Sequence, residues 1–276
     1  MAITAQDVNK LRQSTGAGMM DCKKALVEAE GDFEKAVDIL RAKGQKVSAK
    51  RADNATTEGS VFIQTNDGGS VGYLLALSCE TDFVAKNDDF QGFGSSIVKA
   101  AAENDATDIE TVKAIKLSDG RTVEETVVDY IGKIGEKIEI SNFIKIAADK
   151  VVPYIHSNYK LGVLVGLTGP VAQAEEIGRD VAMQIAAMNP VALNKEGVDS
   201  AVIERELAVG REQALAEGKP EAMIEKIAEG KLNKFFKENT LLSQPFVKDS
   251  SKTIDQVLKD VDKGLTVSAF KRVSIG

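Results

Sequence analysis

Few residues in this chain are equipped for covalent chemistry. It has one histidine, His156, no tryptophan, and two cysteines, Cys22 and Cys79, without paired spacing. Zinc sites and disulfide frameworks both need clustered ligand residues, so each thiol reads as a reduced, partly buried small side chain. No Gly-Lys-Ser/Thr phosphate loop is present, the string Gly68-Gly69-Ser70-Val71-Gly72 falls on a strand-to-strand turn and not on the strand-to-helix elbow that a nucleophilic serine needs, and Gly16-Ala17-Gly18 lacks a third glycine and follows no strand. The carboxylates fall mostly at helix-surface spacing, where they face solvent. No acid/base pair, metal or cofactor is indicated, and the chemistry open to the chain is recognition.

The segment most suited to recognition is Ser78 to Asn87. Its Asp82-Phe83 pair follows the apolar run Val71 to Leu77 and precedes a helical pattern. A ring at such a junction either plugs the local core or points outward, and the polar neighbours on both sides favour the outward reading. Thr81 and Val84 would fix the loop around it. Met19 and Met20 are suited to filling a small helical core or to a partner-binding face; with Arg12 and Lys23 nearby, at least one is expected to be exposed in a mixed apolar and basic patch. His156, alone at a strand end, reads on its own as a hydrogen-bonded structural residue.

The elements that position these residues give an α+β chain. Residues 4 to 43 read as three short helices: Thr4 caps the first with Asp7 three residues on, Gly16 and Gly18 end it, Asp32 caps the third, and Gly44 stops it. Lys43 to Gly59 has a tether's composition, which would leave the small unit free to move. Strand signals at Ser60 to Thr65 and Val71 to Leu77 flank Asn66-Asp67-Gly68-Gly69, a hairpin turn. Two helices follow, one carrying Phe90, Gly94, Ile97 and Ala101, the other opened by the capping box Thr122 to Glu125. The arrangement recurs about 90 residues later, Gly72 matching Gly162 and Leu74 matching Leu164, which reads as an internal duplication with antiparallel sheets. Ser200 to Glu217 and Glu221 to Lys237 form an antiparallel helical hairpin around Gly218-Lys219-Pro220. The expected units are 1–54, 55–140, 141–190 with 239–276, and the hairpin 191–238.

The strings Leu11-Arg-Gln-Ser-Thr-Gly-Ala-Gly-Met-Met-Asp-Cys-Lys-Lys-Ala-Leu26 and Ser78-Cys-Glu-Thr-Asp-Phe-Val-Ala-Lys-Asn87 resemble bacterial elongation factor Ts, the guanine-nucleotide exchange factor of elongation factor Tu. The resemblance runs the length of the chain, with Ala76-Leu77-Ser78 in place of the family's usual Glu-x-Asn. It implies an N-terminal ubiquitin-associated-like module, a duplicated core, and an inserted helical hairpin used for homodimer formation in some members. It also implies that Asp82-Phe83 enters the GTPase near its Mg2+ site. Ile134, Gly135 and His156 would lie on the same contact surface, and the face bearing Arg12, Met19, Met20 and Lys23 would meet the G domain.

Composition narrows the partners. Residues 1 to 51 hold ten Lys/Arg against seven Asp/Glu, or +3, which leaves −10 for the other 225. An acidic body repels phosphate backbones, and Lys43, Lys46, Lys50 and Arg51 lack interleaved aromatics, so direct nucleic-acid binding is not expected. No apolar run approaches the roughly 18 residues of a membrane helix, and no signal segment is visible, so the cytosol is the expected compartment. Two other classes stay open at this point: an adaptor whose first 43 residues bind a partner alone, and an enzyme with an unrecognised site.

Overall fold

A computed structural model describes residues 3–169, 171–172 and 174–276. Helix α1 (Ala5–Thr15) opens with the Thr4/Asp7 capping box and ends at Gly16, φ 68°. Helix α2 (Met19–Glu28) follows, and Asp32 caps α3 (Phe33–Arg51) by accepting the Lys35 N–H. Val8, Leu11, Cys22, Ala25, Leu26 and Ala36 form the core of this three-helix unit.

Strands β1 (Glu58–Thr65) and β2 (Val71–Cys79) are joined by a turn in which the Asn66 side-chain oxygen accepts the Ser70 and Val71 N–H groups. Next come α4 (Asp82–Ala85), α5 (Asp88–Glu103), α6 (Ile109–Ala114), α7 (Val123–Ile134) and β3 (Ile138–Ala147), which pairs with β2 to give the antiparallel order β1-β2-β3. One face of this sheet, with Phe62, Leu75 and Leu77, packs on Phe90 and Ile97 of α5 and on Val123 and Ile131 of α7.

Strands β4 (Lys150–Ile155) and β5 (Leu161–Thr168) lead into α8 (Glu175–Met188) and the hairpin α9 (Ser200–Ala216) and α10 (Glu221–Asn239). The short strands β6 (Pro245–Phe246) and β7 (Asp249–Thr253), helix α11 (Ile254–Val261) and strand β8 (Thr266–Ser274) complete the chain. The second sheet has the order β4-β5-β8, and α8 and α11 cover one face. The remaining faces of the two sheets meet through Val61, Leu74 and Ile146 on one side and Val151, Leu164 and Val273 on the other. The core is therefore four layers deep, helices outside and two sheets within. Gly72 and Gly162 permit the contact: a Cβ on Gly72 would lie 2.6 Å from Val151 Cγ1, and one on Gly162 would lie 2.5 Å from Val61 Cγ1.

Two expectations need correction. Helix α3 does not stop at Gly44 but runs to Arg51, so residues 43–51 are helix and only 52–57 link the first unit to β1. Gly44 is a close-approach residue instead, because a Cβ on Gly132 of α7 would sit 2.7 Å from the Gly44 Cα. The three-helix unit is thereby packed on α7, not loosely tethered. The unit boundary at 140/141 falls inside β3, which pairs with β2 along its length. In the hairpin, Ile224 and Ala228 are buried and Leu232, Phe235 and Phe236 half-buried, while Gly210 lets α9 close on Ala228, so the apolar stripe is occupied within the hairpin.

Candidate functional site

Helix α4 is a single turn, and its register decides where Phe83 points. Ala85 is buried and Val84 packs against the core below the turn. The Thr81 hydroxyl accepts the Val84 N–H at 3.4 Å, and the Ala85 carbonyl accepts from Gln91 Nε2 at 2.6 Å. With positions 84 and 85 turned inward, Phe83 is left 83% exposed. Its neighbour Asp82 bonds Lys86 Nζ at 2.7 Å, which holds the carboxyl below the usual carboxylate range and keeps the pair ionised. Lys86 is in turn held charged, first by the Asp82 hydrogen bond and, more weakly, by the charge of Glu58.

Two carboxylates that sequence spacing gave no reason to single out tie this turn down. Glu136 accepts from the Thr81 N–H at 3.0 Å and the Thr81 hydroxyl at 2.8 Å. It directly follows Gly135, which ends α7 at φ 82°, so it joins the 134–136 loop to the Phe83 turn. Glu80 accepts from both the Lys137 N–H at 2.6 Å and Asn54 Nδ2 at 2.9 Å, and from Arg51 Nη1 at 2.9 Å. Burial pushes the Glu80 carboxyl up, but these donors outweigh it and bring the group below its ordinary value. The end of α3 is thus fastened to the loop that carries Asp82 and Phe83. Cys79 lies beneath, its thiol donating to the Thr81 carbonyl at 3.2 Å; burial raises it to about 12, which makes it a poor nucleophile at neutral pH.

The other predicted contact residues come from the α1–α2 corner, the end of α7 and the end of β4. Met19 and Met20 are 56% and 64% exposed, and Arg12 and Lys23 are exposed with them. The preceding Gly16 rests on the Lys133 stem, whose Nζ reaches Asp89 at 2.8 Å, so the α1–α2 corner abuts the end of α7. Ile134 is half-buried, its side chain packed on the core, and Gly135 is half-buried beside it with open space where a Cβ would point. His156 is exposed at the end of β4, with Nδ1 3.0 Å from the Tyr154 hydroxyl. It is brought to the same end of the molecule by Lys160, which pairs with Glu58 at 2.6 Å; Glu58 faces Cys79 across the β1–β2 ladder.

A cavity of about 550 Å3 lies between the three-helix unit and α7. Its charged lining is neutralised in pairs: Lys43 with Asp21, Lys133 with Asp89, and Arg121 with Asp119 and Asp129. Among the described residues no group of three or more His, Cys, Asp or Glu could hold a metal ion, and no helix is long and apolar enough to cross a membrane.

Comparison with known proteins places these residues in a family. The family model described as Elongation factor TS matches residues 80–276, starting two positions before Asp82. Elongation factor Ts of Cytophaga hutchinsonii is 57% identical over 274 residues, covering 99% of each chain. This chain belongs to the elongation factor Ts family. Elongation factor Ts of Amoebophilus asiaticus is 55% identical over 279 residues and all of both chains, and that of Christiangramia forsetii is 50% identical over 99% of each. Elongation factor Ts proteins serve translation as nucleotide exchange factors, and the match carries that role to this chain. Arg12, Met19, Met20 and Lys23 precede the stretch matched by the family model but lie within the full-length matches to the relatives.

Proposed function

We propose that this protein binds elongation factor Tu in its GDP form and accelerates GDP release by driving Phe83 into an apolar slot beside the nucleotide site. The observation that carries the reading is a large apolar ring held 83% exposed on a turn braced from below by Thr81, Val84 and Glu136. A GTPase grips GDP through backbone amides and a Mg2+ that demands near-ideal octahedral oxygen geometry, so a small displacement of the metal's supports weakens the grip steeply. No covalent bond is made or broken.

Asp82 repositions polar groups next to the slot, and Thr81 and Val84 keep the ring's backbone in place. Arg12, Met19, Met20 and Lys23 on the three-helix unit, Gly135 with Ile134, and His156 on the second sheet add binding energy that offsets the distortion. By linkage, nucleotide weakens factor binding by the ratio in which the factor weakens nucleotide binding, so incoming GTP displaces the factor. The working units are a ubiquitin-associated-like module over residues 1–54, a duplicated core, and the hairpin 191–238; the reciprocal packing of Gly72 and Gly162 supports the duplication. If the hairpin dimerises the factor, the outward Leu215 and Met223 are available for it.

Stopped-flow release of a fluorescent GDP from elongation factor Tu·Mg2+ tests the reading. Wild-type protein should speed release strongly, and Phe83→Ala should lose most of that acceleration while its stability stays within about 0.5 kcal/mol of wild type, as expected for a surface truncation. No acceleration by the folded wild-type protein overturns the assignment. A Phe83→Ala loss of about 3 kcal/mol in stability would instead place the ring in the core.

A further inference from the structure

The turn that joins β4 to β5 carries a second exposed aromatic. Tyr159 sits at φ 59°, in the left-handed region that Gly and Asn enter readily and a bulky L side chain enters only with strain. Strain of this kind persists where the surroundings over-determine the backbone. The Tyr159 N–H donates to the His156 carbonyl at 2.8 Å, and its own carbonyl accepts the Val61 N–H of the neighbouring sheet at 2.7 Å. The fold therefore uses the backbone of Tyr159 but not its ring, which is 58% exposed and has no hydrogen-bond partner among the described residues. Beside it stand His156, exposed, and Ile155, 36% exposed.

This turn is continuous with the Phe83 turn. Lys160 pairs with Glu58 at 2.6 Å, Glu58 faces Cys79 across the ladder, and Cys79 leads directly into the turn that bears Asp82 and Phe83. We infer that Tyr159, with Ile155, is an apolar anchor for the same GTPase, setting how tightly the factor holds it while Phe83 drives the exchange step. The inference rests on the exchange-factor reading above. A tyrosine ring suits the task because it offers a large, rigid, amphipathic contact at small entropic cost. Two anchors on separate sheets would make the partner's surface meet both at once, so their spacing selects among partners as well as adding affinity.

Tyr159→Asn separates this role from a structural one, because asparagine tolerates the left-handed backbone. The variant should melt no lower than wild type, and about 2 °C higher if the released strain approaches 1 kcal/mol. In the fluorescent-GDP assay, titrated with factor, it should need about tenfold more protein for half-maximal stimulation, with an unchanged plateau rate. An unchanged half-maximal concentration overturns the inference, as does a loss of binding that merely tracks a lower melting temperature. Phe83→Ala run alongside keeps the two readings apart: if it abolishes exchange while Tyr159→Asn behaves as wild type, the exchange-factor reading stands and only the anchor falls. If wild-type protein itself fails to release GDP, both fall.

Discussion

Tyr130 packs between helices with its ring stacked on Phe93 at 4.7 Å, and its hydroxyl is buried without a hydrogen-bond partner among the described residues. Burial, followed by the charges of Asp89 and Cys79, raises its pKa to about 12. An unmet buried hydroxyl costs stability, so Tyr130→Phe should stabilise the protein by up to about 1 kcal/mol in chemical denaturation. The pH dependence follows in sign. The folded pKa lies above the ordinary 10.0, so the stability linked to the neutral phenol is complete below pH 10 and is lost as pH rises toward about 12. Tyr130→Phe should therefore reduce the fall in stability across that alkaline window, measured by denaturation at pH 9 and pH 11. Tyr73, also raised to about 12 by burial and by its hydrogen bond to Asp105, would account for part of the fall that remains. The exposure of Phe83 and of the two methionines was legible from the sequence because polar neighbours or a basic setting surround an apolar side chain. Tyr159 was not, since the neighbouring Ser157 and Asn158 are the residue types that favour a turn, while the positive φ falls one residue later.

At the level of elements, the Phe83 turn depends on a bond that crosses from one to another. Glu136, at the junction of α7 and β3, takes two hydrogen bonds from Thr81. Glu136→Ala leaves the Thr81 N–H and hydroxyl without that acceptor, a local cost of about 1–3 kcal/mol. Global unfolding should change by less than that, because water can reach this half-buried site. Hydrogen exchange at the α4 amides should speed up, and exchange stimulation should fall severalfold with wild-type Phe83 still present; unchanged exchange at α4 would remove Glu136 from the support of the turn. Thr81 and Glu136 are 55 positions apart, which no local pattern could reveal. Strand β3 escaped the sequence for a different reason: Ile138 and Ile140 alternate, then the ladder slips so that Leu77 faces Ile140 while Ala76 faces Asn142, and the extra residue Ser141 breaks the period before Phe143. By contrast, the capping boxes at Thr4 and Thr122 and the Asn66 turn were readable because their hydrogen bonds close within five residues.

For the whole molecule, the decisive misreading was Gly44. Glycine followed by a polar, alanine-rich stretch has the composition of a helix stop and a tether, yet here it is a missing side chain that lets α3 cross α7 at backbone contact with Gly132. From that crossing, a series of fixed contacts leads to the functional surface: α3 ends at Arg51, Arg51 holds Glu80, and α7 ends at Gly135 and Glu136, which hold Thr81. The face bearing Met19 and Met20 and the turn bearing Phe83 are therefore parts of one body, and under the proposed function the two would meet the GTPase together. Gly132→Val tests this. Its added side chain must push α3 off α7, at an overpacking cost of about 1–3 kcal/mol. Cleavage by trypsin after Lys50 or Arg51 should accelerate while each unit keeps its helical signal. In the wild-type background Met20→Ala should weaken binding to elongation factor Tu, and in the Gly132→Val background the same truncation should matter less, because the displaced face no longer docks with Phe83. Equal effects in both backgrounds would mean that the three-helix unit reaches its partner independently of the crossing.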